Sequence, residues 1–346
     1  MLGDINTKNG EIVIAYTGDD GNTVGNIDSA MTGGTTANGT LRVAENAKLT
    51  VTGNLWSRPN TGIRLDSGAE LNMSGKHIVF SNRGTNTASL NSTSNGKTYG
   101  INSADYVLTN AHAAYTGTAE EATLSNKLVN SSVENAGSGK LTVNNAGNSL
   151  TDVYATGGDL EVLQAATGLN LSELTLAQDK TVGLYTGADA TTAEANVTVS
   201  KLAEFGKDAR LNANLTLASG STLRVAKGGL SMGSTLTLNE GLTLGTATLE
   251  RVHALSVGES TTLFTGVDGL TLGNTSYSVI TEEDNILAAP YFSNLSSNNY
   301  VLTYTGTDNG TLNITMMSMT VPEPTTATLS LLALAGLAAR RRSRRL

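Results

Sequence analysis

Apolar and polar residues alternate in short triplets along most of the chain, beginning near residue 40. The early triplets lie at residues 41–43, 49–51, 63–65 and 71–73, and each places a polar residue between two apolar ones. Alternation with a period of two predicts a short, half-buried strand, because successive side chains on a β-strand point to opposite faces. The chain is therefore expected to be all-β.

The triplets recur at intervals close to 20 residues. Leu41 precedes Ile63 by 22 residues, and the same distance separates Leu49 from Leu71. A repeat of this length predicts a parallel β-helix, a solenoid whose inward residues stack ~4.8 Å apart along the axis. We expect this solenoid to form residues 1–250, with coils of 19 to 23 residues. An open β-sandwich has similar alternation, but it usually shows longer strands and more aromatic residues.

The triplets are densest between residues 215 and 244. Alternation predicts that four leucines of this stretch are core positions: Leu215, Leu223, Leu236 and Leu242. Glycine pairs at residues 157–158 and 228–229 are expected at the corners, where a turn requires positive φ.

Residues 82–137 interrupt the rhythm and are interpreted as an insertion. Residues 81–96 are nearly all turn and hydroxyl residues, which predicts a loop. Thr118 and Glu121 have the spacing of a capping box, so a short helix is expected over about residues 119–129. The insertion is either a decoration or, as often on solenoids, a binding surface.

The composition changes after Arg251. Tyrosine, phenylalanine and proline cluster there, and longer alternating strands at 300–304 and 312–314 flank a hairpin-turn signal at 308–310. A solenoid needs its open end covered, because exposed edge strands pair with other chains. Residues 251–320 are therefore predicted to form a C-terminal antiparallel β cap.

Charge and cysteine content limit the possible functions. The whole chain has a formal net charge of −8, and the part before Val321 has 17 Lys and Arg against 29 Asp and Glu, a net charge of −12. Such an acidic body is a poor nucleic-acid ligand. There is no cysteine, so thiol catalysis and disulfide stabilisation are both excluded.

The sequence shows no motif for catalysis, metal binding or cofactor binding, so none of these sites is expected. His77, His112 and His253 are isolated in sequence, and neighbouring carboxylates such as Glu120 and Glu121 would point to opposite faces of a strand. Residues 18–22 and 305–310 could supply oxygen ligands to Ca²⁺, but ordinary β-turns explain them equally well. No glycine-rich phosphate loop precedes a helix.

The last 26 residues combine three kinds of segment. Residues 325–339 are almost entirely apolar or small and favour helix, which at 15 residues is roughly 22 Å long and short for a stable membrane span. The segment before them is expected to be extended and accessible, because proline disfavours helix: Val321, Pro322, Glu323 and Pro324. The segment after them is an arginine cluster typical of the cytoplasmic side of a membrane: Arg340, Arg341, Arg342, Arg344 and Arg345.

This tail resembles the PEP-CTERM sorting signal of Gram-negative bacteria over residues 321–346. The resemblance implies processing near Pro-Glu-Pro by a membrane-embedded peptidase called exosortase, with residues 325–339 as a transient membrane segment. It also implies export through the inner membrane to the outer membrane, cell surface or extracellular matrix, often together with exopolysaccharide. The alternative is an ordinary C-terminal anchor helix.

Residues 32–43 carry a second resemblance. Gly-Gly-Thr-Thr followed by Gly-Thr-Leu is similar to the repeat of autotransporter passenger domains. Those passengers are right-handed parallel β-helices, so the resemblance implies that handedness here. The C-terminal membrane barrel of autotransporters has no counterpart in this sequence, and the sorting tail takes its place.

The first residues lack the basic and apolar regions of a signal peptide. Because the tail acts outside the cytoplasm, we expect an export signal upstream of Met1.

Three functions are consistent with these patterns. The first is a non-enzymatic surface or matrix protein, adhesin-like, with surface glycans as a candidate partner. The second is a polysaccharide-acting β-helix enzyme, although its basic residues would have to cluster in a cleft and here they are scattered. The third is an ice- or crystal-binding solenoid, but Thr-x-Thr triplets such as 235–237 and 246–248 do not recur at one fixed offset.

Overall fold

The structure is a computed structural model. It describes residues 5–6, 10–18, 21–28, 39–52, 55–57, 62–65, 70–72, 77–80, 88–89, 107–109, 112–115, 120–124, 127–295, 297, 299–307 and 309–317.

One parallel ladder of strands runs along most of the described chain, and we call it the long ladder. Each strand pairs in parallel with the next member, which lies one coil further along the chain. Its members are β1 (Ile5–Asn6), β4 (Ile27–Asp28), β7 (Leu55–Ser57), β10 (His77–Phe80), β13 (His112–Tyr115), β16 (Ser131–Asn135), β18 (Leu150–Ala155), β20 (Gly168–Leu176), β22 (Asn196–Phe205), β25 (Thr222–Val225) and β27 (Thr243–Leu244).

A second parallel ladder lies on another face of the same coils. Its members are β11 (Ala88–Ser89), β14 (Glu121–Leu124), β17 (Lys140–Asn148), β19 (Leu160–Ala165), β21 (Thr181–Leu184), β23 (Arg210–Asn212), β26 (Leu230–Leu238) and β28 (Ser260–Leu272). A third ladder is formed by the first halves of β20 and β22, then β24 (Asn214–Leu217), the second half of β26 and the end of β28.

Three shorter parallel ladders complete the N-terminal half. They join β2 (Gly10–Ile14), β5 (Gly39–Val43) and β8 (Gly62–Leu65); β3 (Asn22–Val24), β6 (Lys48–Val51) and β9 (Glu70–Asn72); and β12 (Val107–Thr109) with β15 (Lys127–Val129). The chain passes from ladder to ladder and returns one coil later. The predicted parallel β-solenoid is therefore confirmed, while its right-handed winding stays a prediction.

The predicted stacking of inward residues is confirmed by the register. Leu41 pairs with Ile63, and Leu49 pairs with Leu71. The side chains of Leu41 and Leu49 are fully buried. Stacked leucines remove apolar surface from water at roughly 25 cal/mol per Å², so each coil is stabilised mainly by its two neighbours.

The predicted core leucines of the densest stretch are buried as well. Leu215 stacks on Leu236, and Leu223 stacks on Leu244. The intervening Thr216 and Thr237 are half-buried on the outer face. The alternation of triplets therefore assigned inward and outward positions correctly in this region.

Coil length varies more than the predicted 19 to 23 residues. Val182 pairs with Leu211, 29 positions later, because a turn between Tyr185 and Ala195 lengthens that coil. Ile78 pairs with Ala113, 35 positions later. Insertions leave the ladder intact because each coil needs only a stacked inward strand, whatever length its loop has.

The helix predicted over residues 119–129 is wrong. Residues Glu121–Leu124 form strand β14 and Lys127–Val129 form strand β15. Ala122 lies in the second ladder between Ala88 and Leu141, with its side chain buried. Burial of Ala122 and Leu124 follows a period of two, and this pattern outweighs the capping-box spacing.

The predicted corner glycines have two different structural reasons. Gly228 and Gly229 have φ of 101° and 83°, as the turn prediction requires. Gly158 instead lies against the neighbouring coil, where an added Cβ would be 2.0 Å from the carbonyl oxygen of Gly139. Close approach, and not positive φ, explains that glycine.

A helix was not expected at α1 (Thr246–His253). Thr246 and Thr248, interpreted above as a strand-like Thr-x-Thr triplet, lie in this helix. Thr248 and Val252 are buried four positions apart, so one helical face packs on the last coils. Among the described residues, no helix has the length and apolar character needed to cross a membrane.

The C-terminal strands pair in antiparallel fashion with the end of the solenoid. Strand β28 pairs with β29 (Thr275–Tyr277) and β31 (Gly310–Met316), and β31 also pairs with β30 (Tyr300–Tyr304). The parallel pairing of β26 with β28 extends to Leu272, beyond the boundary predicted at residue 250.

Candidate functional site

The outer face of the long ladder presents a continuous set of polar side chains, which we call the polar row. Inward Val133, Val153 and Leu174 fill the core, and the residues between them point outward. Because the strands are in register, residues about 20 positions apart in sequence become neighbours on this face. The polar row comprises His112, Ser132, Glu134, Asp152, Tyr154, Glu173 and Lys201.

His112 forms the N-terminal end of the polar row. Its Nδ1 lies 2.7 Å from the hydroxyl of Ser132, and its Nε2 lies 3.0 Å from Oε2 of Glu134. The other carboxylate oxygen of Glu134 accepts a hydrogen bond of 2.8 Å from the Thr156 hydroxyl. The side chains of His112 and Glu134 are 15% and 24% exposed, so this pair is held more firmly than a surface ion pair.

Tyr154 and Glu173 form the centre of the row. The phenol of Tyr154 donates a hydrogen bond of 3.1 Å to Oε2 of Glu173, while Lys201 forms an ion pair with Oε1. The backbone N–H of Glu173 donates to the Asp152 carboxylate at 3.1 Å. The Tyr154 ring also contacts the His112 ring, with centroids 5.9 Å apart.

These contacts shift the titration of the row away from neutral pH. The hydrogen bond from Lys201 lowers the pKa of Glu173, and the same bond raises the pKa of Lys201. Burial, followed by the charges of Asp152 and Glu173, raises the pKa of Tyr154. At pH 7 the row therefore offers an ionised carboxylate, an ammonium and a neutral phenol, which suits hydrogen bonding to a ligand better than proton transfer.

The histidine expectation was wrong for His112, which is not isolated in the fold. Its partners lie on the next coil, 20 and 22 residues away in sequence. Carboxylates likewise meet polar partners across coils and not along the chain: Tyr154 and Glu173 are 19 residues apart. The missed signal was the repeat itself, which the sequence interpretation applied to apolar residues but not to polar ones.

A cleft of about 680 Å³ lies where three coils meet the helix, and we call it the α1 cleft. It begins at the C-terminal ends of β20, β22 and β25 and is closed on one side by α1. Thr175 pairs with both Tyr154 and Glu204, so the cleft continues the same outer face as the polar row. Its charged lining residues are Glu204, Arg224, Lys227 and Arg251.

The third ladder carries a row of threonines on its outer face, which we call the threonine ladder. It is formed by Thr198, Thr216, Thr237 and Thr271. Their sequence offsets differ because coil lengths differ, which explains why no fixed offset was visible. Beside this row, Asn214 accepts a hydrogen bond of 2.9 Å from Thr235 and donates one of 3.2 Å to Asn196.

The described residues contain no group of three His, Asp or Glu side chains placed to hold a metal ion. The two loops considered for Ca²⁺, at residues 18–22 and 305–310, lie only partly within the described residues.

The proposed processing residues lie outside the described residues, as do the apolar segment 325–339 and the arginines. They are Val321, Pro322, Glu323, Pro324, Arg340, Arg341, Arg342, Arg344 and Arg345. Comparison with protein families matches residues 320–345 to the PEP-CTERM protein-sorting motif. The chain carries a PEP-CTERM sorting motif. The motif implies an exported protein sorted by exosortase, which agrees with the resemblance found in the tail.

The sorting motif covers only the end of the chain, and the solenoid has no counterpart in the other comparisons. No curated protein and no solved structure matches the chain.

Proposed function

We propose that the protein is a non-enzymatic, adhesin-like component of the cell surface or extracellular matrix, which binds surface glycans through the polar row. The observation that carries this proposal is a PEP-CTERM motif at the end of a parallel β-solenoid. A sorted solenoid is a rigid body with a long outer face, and this face offers donors, acceptors and the rings of His112 and Tyr154. Hydroxyl-rich sugars are suited to both kinds of contact.

The absence of enzyme activity is part of the proposal. Glu173 is kept ionised by Lys201, and Tyr154 is kept neutral by its buried, acidic surroundings. A hydrolase needs a carboxyl group able to donate a proton, and a lyase needs a base that is deprotonated near working pH. Neither group in the centre of the polar row fits these roles. A polysaccharide-acting enzyme remains the alternative that a degradation assay would reveal.

The sorting route completes the proposal. Exosortase would bind the extended residues 321–324 while residues 325–339 hold the tail transiently in the inner membrane of a Gram-negative cell. The arginines would stay on the cytoplasmic side. The processed body would then reach the outer membrane, cell surface or matrix. The antiparallel strands after β28 would act as the cap that protects the last coil from pairing with other chains.

Glycan binding through the polar row is tested with the variant Tyr154→Ala. We expect the full chain to bind members of a glycan array and the variant to bind about tenfold more weakly, since a lost aromatic contact and hydrogen bond cost on the order of 1–2 kcal/mol. Thr198→Ala, on the third ladder, serves as the matched control and should retain binding. Equal binding by both variants would exclude the polar row. Release of reducing ends or unsaturated sugars, abolished by a point substitution in this chain, would contradict the non-enzymatic assignment.

A second candidate function is ice or crystal binding, because the structure aligns the four residues of the threonine ladder. If this function is correct, Thr216→Tyr should abolish inhibition of ice recrystallisation, since a bulky ring disrupts a flat, regularly spaced surface. Thr222→Tyr, on the long ladder, should leave inhibition unchanged. A chain without any effect on ice or mineral growth would eliminate this candidate.

A further inference from the structure

The α1 cleft is positively charged in an otherwise acidic protein. Three of its lining side chains are cationic and one is anionic, which gives a local charge of +2 against −8 for the whole chain. Cationic groups inside a concave surface concentrate anions more strongly than the same groups on a convex one. The cleft therefore differs in sign from the acidic surface of the rest of the chain.

Arg251 is the deepest of these cations and has no anionic partner among the residues that the structure describes. Its guanidinium donates to the carbonyl oxygens of Val225 and Ala247, which are neutral acceptors. Its Nε is buried and has no hydrogen-bond partner. Burial alone lowers the pKa of Arg251, with no carboxylate opposing the shift, although the guanidinium stays charged. An unpaired, partly buried guanidinium is stabilised by an incoming anion.

The two other cations are available to a ligand. Arg224 forms an ion pair of 3.0 Å with Glu204, but the two side chains are 54% and 43% exposed. Exposed pairs of this kind contribute little, so Arg224 can exchange its partner for a ligand without a large loss. Lys227 is exposed and has no ion pair within the described part of the chain.

The shape of the cleft favours an extended ligand. Ala177, Gly206 and Ala226 occupy the same corner of three successive coils and hydrogen-bond to the coils before them. A Cβ at Gly206 would lie 2.4 Å from the backbone nitrogen of Gln178, so the corner requires glycine there. Since coils are ~4.8 Å apart, these small residues leave a channel roughly 10 Å long that runs along the solenoid axis. It leads towards the polar row.

The charges beside the cleft limit how many anionic groups a ligand can carry. The adjoining part of the same face presents Glu134, Glu173 and Glu204. A chain with an acidic group on every unit would place anions against these carboxylates, which costs free energy. A chain with separated acidic groups avoids this repulsion.

We infer that the α1 cleft binds a single carboxylate or sulfate group of a polysaccharide whose acidic sugars are separated by neutral ones. Arg251 and Lys227 contact the anionic group, and the neutral sugars lie along the channel towards Tyr154. The inference rests on the proposed glycan binding and deepens it by naming the class of glycan.

The test compares four probes by titration calorimetry with the full chain. Gellan oligosaccharides carry carboxylates separated by neutral sugars, polygalacturonate carries one on each sugar, dextran is neutral, and sodium sulfate supplies the anion alone. We expect gellan to bind at least about tenfold more tightly than polygalacturonate or dextran. Its affinity should fall as salt rises from low to physiological concentration, because the charged contacts are screened.

Two variants connect the binding to the cleft. Lys227→Glu should weaken gellan binding about tenfold or more, and Arg251→Gln should do the same if the corner still folds. Lys207→Glu is the matched control, because this lysine already forms an ion pair of 3.1 Å with Asp208 and does not line the cleft. Lys227 is exposed, so its variant is expected to fold and keeps the test decisive.

The outcomes separate the inference from the proposed function. Equal affinity for gellan and dextran, unchanged in Lys227→Glu, would overturn the inference while leaving glycan binding intact. Binding of sulfate without any polysaccharide would overturn the saccharide assignment and count against the proposed function. An equal loss in Lys227→Glu and Lys207→Glu would show general electrostatic attraction and would also overturn it.

Discussion

Leu236→Ala is expected to destabilise the protein by about 2–5 kcal/mol. Leu236 is fully buried and stacks between Leu215 on one coil and Leu270 on the other. Truncation removes apolar contacts on both sides and leaves a cavity. The cavity cannot collapse easily, because backbone ladders fix the distance between coils at ~4.8 Å. We therefore expect a value near the upper end of the range.

Thr237→Ala provides the matched control one residue along the same strand. Thr237 lies on the outer face between Thr216 and Thr271, so its truncation should cost ~1 kcal/mol or less. The measurement is the free energy of unfolding from chemical denaturation, with the slope compared between variants. An equal loss of stability in both variants would contradict the inward and outward assignment.

The solenoid could be predicted from sequence because its main determinant is local and repeated. Each triplet places two apolar residues on one face, and a spacing near 20 stacks them, as Leu41 on Ile63 shows. Coil length was less predictable. The turn before Ala195 adds residues outside the ladder, where no side-chain pattern constrains the loop.

Helices were the least predictable elements of the chain. Thr118 and Glu121 had a helix-start spacing, yet burial of Ala122 and Leu124 made this region a strand. The opposite error occurred at α1, where Thr246 and Thr248 alternate as on a strand. There Thr248 hydrogen-bonds through its hydroxyl to the backbone of Val225, and Val252 is buried four residues later. In both cases, packing against the neighbouring coil outweighed the local preference.

The polar row illustrates a different limit. Its residues are ordinary when considered singly, and their partners are one coil away, so motif spacings within a single strand or turn cannot find them. A sequence repeat can, once polar residues are aligned on it: His112, Glu134 and Tyr154 follow each other at intervals of 22 and 20. The α1 cleft could not be found in this way, because its depth depends on an unpredicted helix.

The largest functional effect is expected from replacing Pro322, Glu323 and Pro324 with alanine. Proline keeps residues 321–324 out of helix, and a membrane-embedded peptidase needs an extended, reachable substrate. Alanine favours helix and would extend the apolar segment upstream. We expect this variant, expressed with an export signal, to be inserted but not cleaved. The comparison variants should fail differently: removal of the arginines loosens orientation, and deletion of residues 327–339 releases unprocessed soluble protein.

The decisive measurement is mass spectrometry of the protein recovered from the cell surface. The wild-type C-terminal peptide should end near Pro-Glu-Pro, whereas the triple-alanine variant should retain residues 340–346 and stay in the inner membrane. A span of 15 residues is roughly 22 Å long against ~30 Å of hydrocarbon, so uncleaved protein should be poorly retained and slowly lost. This separates the two interpretations of the tail. If wild-type protein at the surface still contains Arg340 to Leu346, the segment is a permanent anchor, and sorting by cleavage is wrong for this chain.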